Sequence, residues 1–469
     1  MKLVRVAADR WNFETGPGEY VSPIGGNVLD DQHPAQGTMW DRFDAADADR
    51  RLGLMADIGL NCLRLPLGVN HVYDPATRTL RAQGLRHWDA FIALAERRGD
   101  YLMPVGGYIG GNDWFDVARL ADSGEQLDHD CAFWSLFTAH YRDHPAVWAW
   151  DLRNELLFDS KPHNLQPGSA DEQRLATQLL EHWPAFLEAR YGSVAAMNRA
   201  YGNAAFGNFA DVPASVRFEE APFSLRHADV RDYLNERGFH WCKRQVDAIR
   251  AADPSHMVCQ GNNTWLSPDQ DLWLANGFHN HAVHELFDFV THHPYPALQP
   301  LVRGDVFDHP DAMDFWLSAC VGMSRLDHYH KPVVIQEFGW YGGGESRFLC
   351  PLPFRSEQEH ADYTRRLIDT LAPHANGFVN WPTFDMPAAA DISNHGGIFT
   401  HHGQPKALTA VYRDAAATLK HRRHTRAPAT TTLQWSKLGL FTSRPCQDAL
   451  WDRVHELIAA GEVPDVRIV

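Results

Sequence analysis

The sequence predicts a (β/α)8 TIM barrel, on three observations. Short apolar runs that end in polar or aromatic residues recur eight times along the 469 residues. Most of these runs are continuous rather than alternating, as expected of parallel strands covered on both faces. Helical patterns with one apolar face lie between them, and a strand–helix unit of about 30 to 45 residues is the repeat such a barrel needs. The rival, a doubly wound sheet, would carry a glycine-rich phosphate turn after its first strand, which is lacking here.

In order, the strand runs are "VSPIGGNVL" around 22–29, "LNCLRLP" at 60–66, "YLMPVGG" at 101–107 and "AVWAWDLRNE" at 146–155. They continue with "HMVCQGNN" at 256–263, "FDFVTHHPYP" at 287–296, "PVVIQEFG" at 332–339 and "GFVNWPTF" at 377–384. Before the second run, "ADADRRLGLMADIG" sets Leu52, Met55 and Ile58 on one helical face. "LRHWDAFIALAERRG" does the same with Leu85, Trp88, Phe91, Ile92 and Ala95, and Gly99 is its stop. "SEQEHADYTRRLIDTLAPH" carries Tyr363, Leu367 and Leu371 ahead of the eighth run. The interval after the fourth run is longer, and it holds an insertion at about 160–225 with a helical piece, "HWPAFLEARYGSVAAMNRAYGN". The barrel is assigned to residues 1–410. Beyond it come a basic stretch, "KHRRHTRAPATTT", and an amphipathic helix, "CQDALWDRVHELIAAGE". Residues 411–469 are therefore read as a helical tail packed on the barrel, or as a tethered homo-oligomer contact.

Composition narrows the function classes. At 44% hydrophobic and 22% charged the chain is an ordinary globular protein with ample material for a large core. A net charge of −16 argues against a nucleic-acid or anionic-membrane partner. The seven cysteines, an odd number without close pairs, argue against a disulfide framework and a CxxC metal site. The first residues, "MKLVRVAADRWNFETG", lack an apolar leader core, and no apolar run reaches membrane-spanning length. As written, a cytoplasmic location is expected; a leader removed beforehand would make the protein secreted. Sixteen tryptophans suit a sugar-binding cleft, because indole faces stack on the C–H face of pyranose rings.

Reactive groups of such a barrel sit at the C-terminal ends of its strands. Glu155 ends the fourth run and Glu337 the seventh, and those strands face each other across the barrel mouth. Taken singly, Asn154–Glu155 also suits a helix start and Glu337 a turn cap. Two carboxyl groups about 5 Å apart are the equipment for double displacement at a glycosidic carbon, one giving a proton and one attacking. Mutual repulsion and unequal surroundings split their pKa values, which supplies both roles at one pH. Arg64, inside an apolar run, needs a buried partner and would hold Glu337 ionised. Tyr295 could donate a hydrogen bond to the same carboxylate, Asn154 could bond a sugar 2-hydroxyl, and Trp381 could form the floor of the cleft. Asp113, Trp114, Asn263 and Trp340 lie just past strands three, five and seven, where substrate contact and packing or capping are both open.

These residues resemble glycoside hydrolase clan A, and most of all family 5, the cellulases and β-mannanases, over about residues 20–410. "GLNCLRLP" is similar to that family's strand-two arginine motif and "PAVWAWDLRNE" to its Asn–Glu motif, with Leu156 where proline is usual. "DFVTHHPYP", "KPVVIQEFG" and "GFVNWPTF" resemble the strand-six, nucleophile and strand-eight motifs. The resemblance implies a retaining β-glycosidase with Glu155 as acid/base and Glu337 as nucleophile. It adds His293 to Arg64, Asn154, Tyr295 and Trp381 around them, and it implies no metal and no organic cofactor. The segment "FLEARYGSVAAMNRAYGN" resembles instead the family 42 β-galactosidases. The expected substrate is thus a β-linked oligosaccharide or polysaccharide, with manno, gluco and galacto configurations and endo or exo action all open. Transglycosylation uses the same residues, and a carbohydrate-binding barrel without catalysis is the rival from another class.

Histidine clusters at His279, His281 and His284, and at His401 and His402, lack the carboxylate placement of an HExxH zinc site. The first strand run lacks the HxH of metal-dependent barrel hydrolases.

Overall fold

Eight parallel strands form one curled sheet, and the described helices between them pack against its outer face. They are β1 (Ile24–Asn27), β2 (Cys62–Pro66), β3 (Tyr101–Val105), β4 (Ala149–Asn154), β5 (Met257–Gly261), β6 (Val290–His292), β7 (Val333–Ile335) and β8 (Gly377–Asn380). The computed structural model describes residues 1–32, 39–107, 125–155, 181–213, 224–262, 277–278, 281–295, 310–326, 330–339, 355–389 and 392–469. Hydrogen bonding runs in the order β6-β7-β8-β1-β2-β3-β4-β5. The two edges meet through Thr291, whose hydroxyl donates to the Gln260 carbonyl at 2.5 Å and accepts from the Asn262 amide at 3.0 Å. The protein is a (β/α)8 barrel, and each of the eight barrel strands falls within a run expected from the sequence.

Strand parity builds the barrel interior in layers. Cys62, Met103, Ala149, Cys259, Val334 and Val379 meet inside the barrel in one apolar cluster with Phe13, Trp148 and Phe289. Their sequence neighbours Leu63, Leu102, Trp150, Val258, Val333 and Phe378 join the outer cluster beneath the helices. Two residues along from the inner set, one pleat higher, stand Arg64, Asp151 and Gln336, all fully buried. The apolar floor thus carries a polar layer directly above it. Gly25 lets the first two strands close, since a Cβ there would lie 1.8 Å from the Cys62 carbonyl oxygen.

The helices expected before β2, β3 and β8 are present as Ala45–Asp57, Ala82–Arg98 and Glu357–Leu371. The second ends at Gly99 with a left-handed φ of 81°. Between β4 and β5 the described part of the insertion holds helices Trp183–Tyr191 and Val194–Ala200, followed by the 28-residue helix Leu225–Ala252. Asp229 on that long helix is fully buried and takes hydrogen bonds of 2.5 Å from both Tyr191 and Tyr201, which ties the insertion down.

The C-terminal segment is more than a helix. Strands β9 (Thr431–Trp435) and β10 (Pro464–Ile468) pair in parallel on either side of helix Arg444–Ala459. That helix packs on Pro310–Met323, where a Cβ on Gly322 would come 2.8 Å from Val454. The helical-tail reading missed the two strands because five residues of half-exposed sheet carry little apolar signal. Among the described residues no helix is long and apolar enough to cross a membrane.

Candidate active site

The polar layer is organised by Arg64, whose guanidinium is fully buried. Its Nε donates to Asp151 at 2.8 Å, Nη2 to Asn154 Oδ1 at 2.8 Å, and Nη1 to both Asn27 Oδ1 and Glu337 Oε2 at 3.0 Å. Gly261 makes room for this fork, because a Cβ there would lie 2.4 Å from Nη2. Asp151 in turn accepts from the Gly261 amide at 2.9 Å and from Gln336 Nε2 at 3.0 Å. An ionised carboxylate and a guanidinium can share a dry interior only with such a full set of partners. Arg64→Leu would strand the Asp151 and Glu337 charges. It is expected to cost about 3–5 kcal/mol of stability, read as a lowered midpoint in urea titration with an unchanged slope.

Asn154 and Glu155 reach the interior through an irregularity. Asp151 aligns with Cys259 and Asn154 with Gly261, so β4 carries one extra residue against β5. Such a bulge resets strand parity, which lets Asp151 and Asn154 both face inward. Glu155 follows with a left-handed φ of 50°, and its amide donates to the Gly261 carbonyl at 2.8 Å. Asn154 is therefore a strand residue holding Arg64 through its oxygen rather than a helix cap.

Glu337 follows β7 and is gripped at both oxygens, Oε2 by Arg64 and Oε1 by the Tyr295 hydroxyl at 2.9 Å. Glu155 Oε1 lies 2.9 Å from His293 Nδ1, whose other nitrogen faces Gln336 Oε1 at 3.3 Å. One donor atom each from Glu155, His293 and Glu337 lies within 4.8 Å of the other two. Burial pushes both carboxyls up to about 7 and pushes His293 down to about 4. Trp381, at the end of β8, is nearly buried and donates its indole N–H to Ser393 at 2.9 Å.

Arg64, Asn154, Glu155, His293, Tyr295 and Glu337 thus converge on one point at the C-terminal mouth, with Trp381 ending the adjacent strand. Asp113, Trp114, Asn263 and Trp340 lie outside the described residues. Sequence reasoning missed Asn27, Asp151, Gly261 and Gln336. The signal for Asp151 was present, since a charged residue inside an apolar run needs a buried partner as much as Arg64 does. The Glu–His–Glu trio could ligand a cation by geometry alone. Arg64 already sits 3.0 Å from one of those carboxylates, and a second, divalent charge beside it would be strongly repelled. The donor set suits a proton shared among acids better than a metal.

Comparison with known proteins bears on the same region. The sequence model of the glycoside hydrolase family 42 β-galactosidases matches residues 129–334, from the helix before β4 to β7. A β-xylosidase of Phanerodontia chrysosporium is 28% identical over 122 residues, 24% of this chain and 25% of that protein. Among solved structures, the β-galactosidase of the haloarchaeon Halorubrum lacusprofundi superposes with a TM-score of 0.68 at 17% identity, over 95% of this chain and 66% of that one. An exo-β-1,4-mannosidase of an Opitutaceae bacterium gives 0.62 at 18% identity, over 100% and 72%. A family 5 (subfamily 18) protein of Streptomyces cattleya, solved with GlcNAc, gives 0.60 at 14%, over 96% and 94%. The chain spans a quarter of the curated relative and about two thirds of the haloarchaeal enzyme. Together the matches support a clan A glycoside hydrolase, and they divide between families 42 and 5, so they reach the clan rather than the family.

Proposed function

We propose that the protein hydrolyses β-linked hexosides with retention of configuration, by double displacement on Glu337 and Glu155. The observation that carries this reading is the approach of one oxygen of each carboxylate to within 4.8 Å of the other. Retaining enzymes place their carboxyl groups about 5–5.5 Å apart, whereas inverting ones leave about 6.5–9.5 Å for a water. In the first step Glu337 bonds to the anomeric carbon while Glu155 gives its proton to the departing glycosidic oxygen. In the second, Glu155 takes a proton from water, the resulting hydroxide attacks the same carbon, and Glu337 leaves as a carboxylate.

The contacts support this division of roles. Burial raises Glu337 most and repulsion from Glu155 adds to it, which by themselves would leave the proton on Glu337. Against it stand two hydrogen-bond donors on Glu337, one of them a cation, where Glu155 faces a neutral imidazole. Glu337 therefore ionises first and Glu155 keeps the proton. Asn154 commits its oxygen to Arg64, which leaves its amide N–H groups for a sugar 2-hydroxyl oxygen.

Product stereochemistry is the direct test: proton NMR of early hydrolysis should show the β anomer first, and an α anomer first would reject the mechanism. The β-galactosidase, β-xylosidase and β-mannosidase names among its relatives make nitrophenyl β-galactoside, β-xyloside and β-mannoside the first substrates to screen. The pH profile of kcat/KM follows from the roles. Glu337 works ionised, so activity rises as pH climbs through the first ionisation of the pair. Glu155 works protonated, so activity falls as pH climbs past about 7. A bell is expected, and a rate still rising at pH 9 would contradict the acid role of Glu155.

A further inference from the structure

We infer that Gln336 is a positioning residue that locks His293 in its Nε2–H tautomer and thereby keeps the exchangeable proton on Glu155; this rests on the double-displacement reading above. The chain of reasoning starts at Asp151. Its carboxylate is bonded to Arg64 Nε at 2.8 Å and to the Gly261 amide at 2.9 Å, so it can only accept from a third neighbour. Gln336 lies 3.0 Å away, and its amide must therefore turn Nε2 toward Asp151. The remaining neighbours of that nitrogen are Met103 Sδ and Cys259 Sγ at 3.7 Å, weak acceptors that favour the same orientation.

With its nitrogen committed, Gln336 presents Oε1 to His293 Nε2 at 3.3 Å. An amide oxygen has no proton to give, so the imidazole nitrogen supplies it. His293 is buried and stays neutral, which leaves it one N–H and makes Nδ1 a lone-pair acceptor. Nδ1 lies 2.9 Å from Glu155 Oε1 and 3.5 Å from Glu337 Oε2. The proton in the shorter contact then belongs to the Glu155 carboxyl. The opposite tautomer would set the Nε2 lone pair against the Gln336 oxygen. Flipping the amide to relieve that clash would aim the oxygen at the Asp151 carboxylate. Among the described residues, the charged or titratable groups facing the Glu155–His293 pair are Glu337 just after β7, Arg64 from β2 and, behind Gln336, Asp151 from β4.

The full chain labelled with 15N-histidine reports the tautomer directly through long-range 1H–15N correlations. The His293 signals are those lost in His293→Phe. The expected pattern is Nε2–H at neutral pH, and an Nδ1–H pattern in the unaltered protein overturns the inference whether or not the protein is active. In Gln336→Leu an Nδ1–H population should appear. The alkaline limb of kcat/KM should then move down by about one pH unit, and kcat should fall about tenfold for poor leaving groups while KM holds. Unchanged tautomer and limb in that variant would also overturn it. An Nε2–H signal in a protein that cleaves no glycoside would instead sink the hydrolase reading and leave the tautomer lock standing.

Discussion

Glu337→Ala is expected to abolish turnover, by about 10⁴- to 10⁶-fold in kcat/KM, in a protein whose fold is intact. The size follows from covalent catalysis: without the carboxylate the anomeric carbon has no protein atom to bond, and water attack in one step lacks a base on the correct face. The fold should survive because Arg64 keeps Asp151, Asn154 and Asn27 as partners. Circular dichroism and the urea midpoint check the second claim. Added azide separates a lost nucleophile from general damage. In this variant the small anion can enter the vacated space and attack the substrate directly, giving a glycosyl azide of inverted, α configuration. A rate within tenfold of the unaltered protein would remove Glu337 from the reaction.

Glu155→Ala should divide substrates by their leaving groups. A sugar or alkyl alcohol departs only with a proton, and loss of the acid should cost about 10²–10⁴-fold there. Dinitrophenolate needs none, so the first step on dinitrophenyl glycosides should persist. The second step still needs the base, so the glycosyl ester should accumulate, visible as a burst of phenolate followed by a slow steady state with a lowered KM. Azide added to this variant would attack that ester and give the β product. Opposite azide stereochemistry in the two variants would fix both roles at once, and equal loss on every leaving group would count against Glu155 as the acid.

Much of this architecture was legible because the barrel repeats one strong signal. Parallel strands buried on both faces read as continuous apolar runs, and all eight runs contain one. Their ends were less legible. The sixth run covers 287–296, but its strand is only Val290–His292, since the bend at 287–289 shares the apolar character through Phe287 and Phe289 without joining the strand. Strand β9 was missed, although Thr431, Leu433 and Trp435 alternate with more exposed neighbours. Glu155, Glu337, Arg64 and Tyr295 could be read from their places at strand ends. Asn27 and Gln336 could not, because a neutral amide inside a strand leaves no mark in the sequence until closure shows what it faces. The extra residue in β4 was equally hidden, since register is a property of two strands rather than one.

That extra residue leaves Glu155 in a left-handed backbone, a conformation costing a non-glycine residue about 1–2 kcal/mol. The same residue keeps a carboxyl in a dry site. Selection for stability alone would have replaced it by glycine. Glu155→Gly is therefore expected to melt higher than the unaltered protein, most clearly at alkaline pH where the carboxyl would otherwise have to carry charge. With Glu155 in its proposed role, thermal tolerance and turnover are antagonists at this one position.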